Sequence, residues 1–596
     1  MCLKSVPQKV ALAIGAVVAL FAVFPLTDTD IWWHLACARE WVTTWTPVRE
    51  PVVNVHEFFQ QIVAFVYNLG GARLLVAFKA ILWGCVFALF LWPSVRNSLQ
   101  TKPRIMPHSR HSENAPDAQG CHLGLVSRIC RSRLVEPAPD LFRGKSPKDN
   151  VIANPVGVKQ SIMLFSFFAT ILFIFRYQFE IRPVLFSLIF LGIYWNILPW
   201  LFIGGGLRDS RDGGWNIART VGAALAILAL QFLWCKSQGL YILGPIFALT
   251  VFAFECWNTR NSGRPIPRKS LLWQLAFMAL LFAMPFFHRE GLNLFLYPFG
   301  LLDRLLGFSP SAAVFASEIA ENRSPITLLM AGENVLQSTL MIVLSAMAIA
   351  FAVLRLRLSF STSHSRSNAE GIHNIHIECA KALWLFITAI LVLVAERNFV
   401  LFLPVFFAVV LPWILQTCGP QNDDLHSVRM PLSSRFYQLP TFNRPLPTVY
   451  FLLPTLLIAF LFGLWFRSVS NYDSMVAYQR VPVAAAEWMN SHPHSGRLFN
   501  DDRAGGYLAF VNPSDSTYID GRFILKTAEF FERYLGYSEN PQMFLHDADA
   551  QNMDRVVLPL RYYARWDKLL AALDSAENWH VAYRDSLFVV MDRTER

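Results

Sequence analysis

The feature that most constrains this chain is a succession of apolar, nearly uncharged runs that recurs until about residue 466. A run of about 20 such residues is what a helix needs to cross the roughly 30 Å hydrocarbon core of a bilayer. In lipid each backbone polar group must be satisfied within its own segment, so these runs are committed to helix. Of the 596 residues, 54% are hydrophobic and only 16% charged, which excludes a disordered or ordinary water-soluble chain. The net charge of +10 would suit a nucleic-acid binder. Its basic residues, however, gather in short loops between apolar runs and form no basic module with interleaved aromatics. Membrane topology accounts for them, and nucleic acid is not expected as a partner.

Eleven spans are expected, at 10–26, 72–92, 159–176, 183–203, 217–234, 240–257, 271–287, 335–354, 382–395, 399–415 and 448–466. The first follows Lys4 and Lys9 and lacks a small-x-small cleavage pattern, so it reads as an uncleaved helix rather than a signal peptide. The stretch 56–69 is apolar but broken by Glu57, Gln60 and Gln61, and reads as an interfacial helix ended by Gly70-Gly71. The inside loops carry Arg208 and Arg211, then Arg260, Arg264, Arg268 and Lys269, then Arg355, Arg357, Arg366 and Lys381, then Arg429, Arg435 and Arg444. That bias places the N-terminus in the cytoplasm and the C-terminus outside. Residues 93–158 form a long basic loop without apolar periodicity, read as cytoplasmic and mobile. Its His108, His111, Cys121, His122 and Cys130 match no standard zinc spacing and read as scattered polar residues.

The chain changes character at residue 467. Helices are expected at 482–491, 530–534 and 566–573, and strands at 497–500, 507–511, 517–519, 555–560, 581–584 and 587–591. Residues 1–466 thus read as a polytopic transmembrane domain, and 467–596 as an extracytoplasmic α/β domain with some parallel pairing.

The chemistry-bearing residues follow the first span at once: Asp28-Thr29-Asp30-Ile31-Trp32-Trp33-His34. Tryptophans suit a membrane interface, but acids beside apolar lipid are costly unless solvated or engaged. Two positions apart, Asp28 and Asp30 would share one face of an extended loop. Such a pair suits a divalent cation through oxygen ligands, Mg or Mn, or a general base toward a hydroxyl. Spacing alone favours the plainer reading, a pair of solvated loop acids, because Asp pairs are common in loops. His34, His56 and Glu57 bracket the same loop. Arg182-Pro183, Lys236 with Gln238, His288 to Glu290, Glu318 to Arg323 and Glu396-Arg397 recur at the outer edge, where basic residues are scarce. Arginine there suits a phosphate through its planar fork or snorkels to lipid.

These residues resemble a known group. Asp28-Thr29-Asp30-Ile31-Trp32-Trp33-His34-Leu35-Ala36 is similar to the D-x-D-x-W-W-H-L-A opening of large bacterial membrane proteins that resemble the GT-C glycosyltransferases. The similarity continues at His56-Glu57-Phe58, at Arg182-Pro183, across 234–245, and at Gly505-Gly506-Tyr507-Leu508 with Asp520-Gly521-Arg522. The resemblance implies a GT-C-like membrane fold in a bacterial plasma membrane. It implies transfer of a sugar from a polyprenyl-phosphate-linked donor to an acceptor on the outer face. Asp28 or Asp30 would then position or deprotonate the acceptor, Arg182 and Lys236 would meet the donor phosphate, His34, His56 and Glu57 would support the loop, and Gln238 would join them in binding substrate. Two alternatives stand beside it: a non-catalytic scaffold whose outer domain binds a partner, and a transporter of a lipid-linked solute. The Gly pair and the Asp-Gly-Arg stretch also read as plain turns.

Overall fold

The computed structural model describes residues 6–49, 53–92, 155–202, 215–261, 268–306, 309, 313–315, 318–363, 369–418, 449–470, 474–561 and 564–594. The basic stretch 93–154, with the His and Cys residues weighed for zinc, lies outside them, as do Arg208, Arg211, Arg264, Arg366, Arg429, Arg435 and Arg444.

The chain opens with helices α1 (Val6–Phe21), α2 (Asp30–Cys37), α3 (Glu57–Leu91) and α4 (Pro155–Ile174). It continues through α5 (Val184–Phe202), α6 (Trp215–Cys235), α7 (Leu243–Asn261), α8 (Arg268–Ala283) and α9 (Gly291–Leu306). Next come α10 (Pro325–Met330), α11 (Val335–Ser363), α12 (Ala369–Val394), α13 (Phe399–Cys418) and α14 (Val449–Ser470). Among the described residues eight helices are long and apolar enough to cross a membrane, against the eleven expected. Ala11–Phe21, Phe165–Ile174 and Leu456–Ser470 are apolar but shorter. They lie within α1, α4 and α14, at the first, third and eleventh of the expected spans. The segment expected at 382–395 is longer than it read, since Ile377–Val394 meets the requirement.

The break at the Gly pair is present. α3 runs through it, but Gly70 (φ −159°, ψ 21°) and Gly71 (φ 63°, ψ −157°) leave helical geometry, so the interfacial part and the spanning part differ in direction. The positive φ at Gly71 is one that a side chain would resist. α9 buries Leu294 and seats Tyr297 against Gly239. Leu292, Leu296, Phe299 and Leu302 remain exposed on its other side, the pattern of a helix lying in a membrane interface.

The C-terminal region is α/β. α15 (Val483–Ser491), β1 (Arg497–Asn500), α16 (Asp502–Val511), α17 (Ala528–Glu539) and α18 (Pro541–Ala550) are followed by β2 (Met553–Pro559), α19 (Asp567–Ser575), β3 (Trp579–Arg584) and β4 (Phe588–Arg593). The sheet order is β1-β2-β4-β3. β1 pairs with β2 in parallel, and β4 lies antiparallel to both neighbours. Strand alternation sends Leu498, Val557, Phe588 and Val590 toward the core shared with the helical part. Phe499, Val556, Leu558, Val589 and Met591 face a second aromatic core with Tyr518, Tyr534 and Trp566.

Two expected strands are not strands. Residues 507–511 belong to α16, because Asp501 caps the helix by accepting from Arg503 N at 3.1 Å. Residues 517–519 make only an isolated parallel bridge, Thr517 to Thr44.

Candidate active site

The site forms beyond the end of α1, where the chain turns into α2. Leu26 N donates to Met475 O at 2.9 Å, tying the turn to the start of the C-terminal region. Thr27 donates its hydroxyl to Glu180. Asp28 Oδ1 accepts from Asp30 N at 3.2 Å, and α2 starts at Asp30. The two acids therefore do not line one face of an extended loop. The side chain of Asp28 folds back over the helix start, a local turn that Asp favours, while Asp30 occupies the first helical position.

Asp28, only 7% exposed, is met by Arg182. Its Oδ2 accepts from Arg182 Nε at 2.5 Å. The two terminal nitrogens of Arg182 reach Glu321 Oε1 and Oε2, each at 2.8 Å. Pro183 explains the placement, since the residue before a proline is held extended and cannot be drawn into α5. One guanidinium thus bridges two carboxylates. Below it, Glu180 lies 3.6 Å from Lys79 of α3, and Lys79 donates to Phe24 O at 3.1 Å.

The carboxyls of this cluster differ in acidity. Burial and the Asp28 charge push the Asp30 carboxyl up to about 7, with Arg182 pulling the other way. Burial, aided by Asp28 and opposed by Lys79, also raises Glu180. For Glu321 burial acts upward too, but the Arg182 guanidinium overrides it and holds that carboxyl down at about 2.

A second polar group lies beside the first. Lys236 Nζ sits 2.5 Å from Glu290 Oε1 and 3.1 Å from Glu57 Oε2. His56 Nδ1 lies 3.3 Å from Ser237 O, and Phe58 N donates to Lys236 O at 2.8 Å. Gln238 turns its side-chain oxygen to Leu240 N at 2.5 Å and caps a short helical turn. His34 connects the groups: its ring lies 5.3 Å from that of His56, edge to face, and 3.5 Å from that of Trp33. Burial lowers both imidazoles, His34 well below the usual range and His56 to about 4, so both are neutral near pH 7. His34 Nδ1 is buried with no hydrogen-bond partner among the described residues.

The structure thus brings Asp28, Asp30 and Arg182 together and sets His34, His56, Glu57 and Lys236 next to them. Arg182 and Lys236 each already meet two carboxylates. Glu321, noted among the polar residues at 318–323 but given no role in the site, completes the first cluster. The sign available in the sequence was an acid close to Arg323 in the long stretch between two apolar runs.

The C-terminal region closes over this turn. Trp32 packs against Tyr507 and Phe510 of α16, ring centroids at 4.9 and 5.7 Å. At Gly505 a Cβ would lie 1.7 Å from Ile519 O, and at Gly506 3.0 Å from Trp33 N, so only bare backbone admits this approach. Arg522 pairs with Asp520 and donates to Trp41 O at 2.7 Å and Thr43 Oγ1 at 2.9 Å. Lys526 Nζ is enclosed by Thr46 Oγ1 at 2.6 Å and by Thr44 Oγ1, Thr46 O and Pro47 O at 3.1 Å. The Gly pair and the Asp-Gly-Arg stretch therefore hold α2 and the segment that follows it in place.

No known family matches the chain, and no curated protein does. Two solved structures of an Archaeoglobus fulgidus oligosaccharyltransferase are similar to it. The form tethered to an acceptor peptide is 13% identical, with 99% of this chain and 74% of that chain covered at a TM-score of 0.44. The apo form is 12% identical, with 92% and 69% covered at a TM-score of 0.39.

Chemically, the cluster offers a carboxyl that titrates near neutrality beside a fixed cation. As a cation site it is incomplete. Among the described residues no three His, Cys, Asp or Glu side chains converge as a metal ligand set. Arg182 also occupies the oxygens of Asp28 and Glu321 that a divalent ion would need.

Proposed function

We propose that this protein is a membrane glycosyltransferase of GT-C type, moving a sugar from a polyprenyl-phosphate-linked donor to an acceptor at the outer membrane face. The observation that carries the reading is the division of labour between the two acids. Arg182 holds Asp28 in a tight ion pair, while Asp30 keeps a carboxyl raised to about 7. A pKa near the working pH is what a general base needs. In this reading an acceptor hydroxyl oxygen bonds to the anomeric carbon as the bond from that carbon to the phosphate oxygen breaks. The hydroxyl proton passes to Asp30, and the polyprenyl phosphate leaves as an anion. Asp28 orients Arg182, and neutral His34 and His56 support the loop without adding charge. The motif resemblance of 28–36 and the polar cluster at the ends of apolar helices support the same reading. The N-terminus is then cytoplasmic, the C-terminal region, residues 467–596, is an outer domain, and the membrane is a bacterial plasma membrane.

A divalent ion, Mg or Mn, enters this proposal only as a competitor of Arg182 for Asp28, Asp30 and Glu321. No step depends on it.

The deciding experiment is the polyprenyl-phosphate-sugar pool in cells lacking the protein, complemented with wild type or with Asp30→Asn. Accumulation cured by wild type alone is expected. A cure by both forms would hand the function to the scaffold or transporter alternative, neither of which needs a base at Asp30.

A further inference from the structure

α3 is apolar enough to cross a membrane, yet it carries Lys79 fully buried. A charge inside such a helix is costly, and its partners show what it serves. Lys79 Nζ donates to Phe24 O at 3.1 Å and lies 3.4 Å from the centroid of the Phe24 ring. It also lies 3.6 Å from Glu180 Oε2, a buried oxygen with no hydrogen bond among the described residues. One ammonium thus meets two segments that are far apart in the chain.

Both segments lead to the candidate site. Asp28 follows Phe24 by four residues, and Arg182 follows Glu180 by two. α3 grips the second segment at successive turns, since Lys79, Trp83 and Phe87 are spaced by four and share one helix face. Trp83 Nε1 donates to Glu180 O at 3.0 Å. The Phe179 ring lies 5.0 Å from that of Trp83 and 6.1 Å from that of Phe87. The Thr27 hydroxyl donates to the same Glu180 side chain. The two segments are therefore joined at three levels: Phe24 to Glu180 through Lys79, Thr27 to Glu180, and Asp28 to Arg182. Without the ammonium, the lowest of these links is gone, and nothing fixes how far apart the upper two sit.

We propose that Lys79 is a positioning residue whose ammonium sets the spacing of the Phe24 and Glu180 segments, and through it the geometry of the Asp28–Arg182 pair. It acts through the Phe24 carbonyl and the Glu180 carboxylate, not on the substrate. Its effect on rate rests on the transferase reading above, whereas its effect on the pair does not.

The test reads the pair directly, in the full-length protein in nanodiscs. Arg182 is 32% exposed, and phenylglyoxal modifies guanidinium groups that are accessible and unpaired. Its rate of modification is followed by peptide mass spectrometry. Arg176, held instead by Phe173 O at 3.0 Å and Tyr177 Oη at 2.8 Å, is the internal control. Lys79→Met/Glu180→Gln leaves no charge buried alone and is expected to fold. In it Arg182 should react about tenfold faster, as loss of one charge-assisted contact would give, with Arg176 unchanged. Lys79→Arg keeps a cation and should stay within about threefold of wild type. The double variant should also lose about tenfold in kcat with the donor KM unchanged, the mark of misplaced reacting groups rather than lost binding. An Arg182 as protected in the double variant as in wild type overturns the proposal. So does equal quickening at Arg182 and Arg176, which marks general loosening, or no rescue by Lys79→Arg. A wild type without transfer sinks the transferase reading, and the arginine reactivities then still decide the role of Lys79.

Discussion

Arg182 Nε stands 2.5 Å from Asp28 Oδ2, although 154 positions separate the two in sequence. The same guanidinium grips Glu321 with its other two nitrogens. The turn before α2, the turn before α5 and the segment before α10 are thereby tied at one cation. Arg182 is only 32% exposed, so solvent weakens the pairing in part.

Replacing Arg182 by Gln leaves two carboxylates facing each other with no cation between them. Breaking a buried pair from one side costs about 3–5 kcal/mol, less where solvent reaches it. Transfer should fall by on the order of a hundredfold. Arg182→Lys should recover only part, because an ammonium cannot serve three oxygens in a planar fork. Initial rates of the purified variants with a lipid-linked donor decide this, and a fully active Lys variant would contradict it.

The same substitution bears on metal. With the guanidinium gone, the oxygens of Asp28 and Glu321 are released next to Asp30. Mn²⁺ titrated into Arg182→Gln and followed by electron paramagnetic resonance should bind more tightly than to wild type. Equal affinities would mean that Arg182 does not compete with the ion.

The Asp30 carboxyl is raised to about 7. As base it must be ionised, so the rate should climb about tenfold per pH unit below 7 and level above it. Asp30→Asn should be slow and lose this limb. Its raised pKa also means that stability attributable to Asp30 is full below its unfolded value near 4. That contribution is lost as pH rises toward 7. A pH–rate profile unchanged in Asp30→Asn would remove Asp30 from the mechanism.

Arg522 is 4% exposed and balances buried Asp520 while holding Trp41 and Thr43. Arg522→Ala should cost about 3–5 kcal/mol, since Asp520 would be left buried and unpaired. Gly505→Ala should be at least as damaging, given the 1.7 Å approach to Ile519 O. Limited proteolysis within 38–49 should quicken in both variants.

His494 lies between Asp554, at 2.5 Å from Nδ1, and Asp515, at 3.0 Å from Nε2. Burial alone would lower it, but the two carboxylates raise it to about 9. Its stabilisation is therefore full below about 6.5 and fades as pH rises through 9. Melting temperatures from pH 6 to 10 should show this decline in wild type and a flatter curve in His494→Gln.

Much of the architecture was legible in the residues. The Gly70-Gly71 break, β1 at 497–500 and the apolar runs are local signals, set by φ/ψ freedom, strand pattern and hydrophobicity. Residues 507–511 were misread because their alternation suits a strand. Asp501 and Asp502 at the start of α16 were the overlooked capping signal. Gly505-Gly506 looked like a turn because sequence does not show what backbone will lie against it.

By itself the sequence determined that this chain is built from membrane-length apolar helices followed by an α/β region, because a bilayer and a sheet each impose a period on every segment they contain. It also placed the two acids at the end of the first apolar helix. Only the tertiary structure decided which of them is paired and which keeps a raised pKa, and that Arg182 answers to Glu321 at a separation of 139 positions. Charge pairing depends on distance in space and on the surrounding dielectric, and both arise from how helices far apart in the chain pack together.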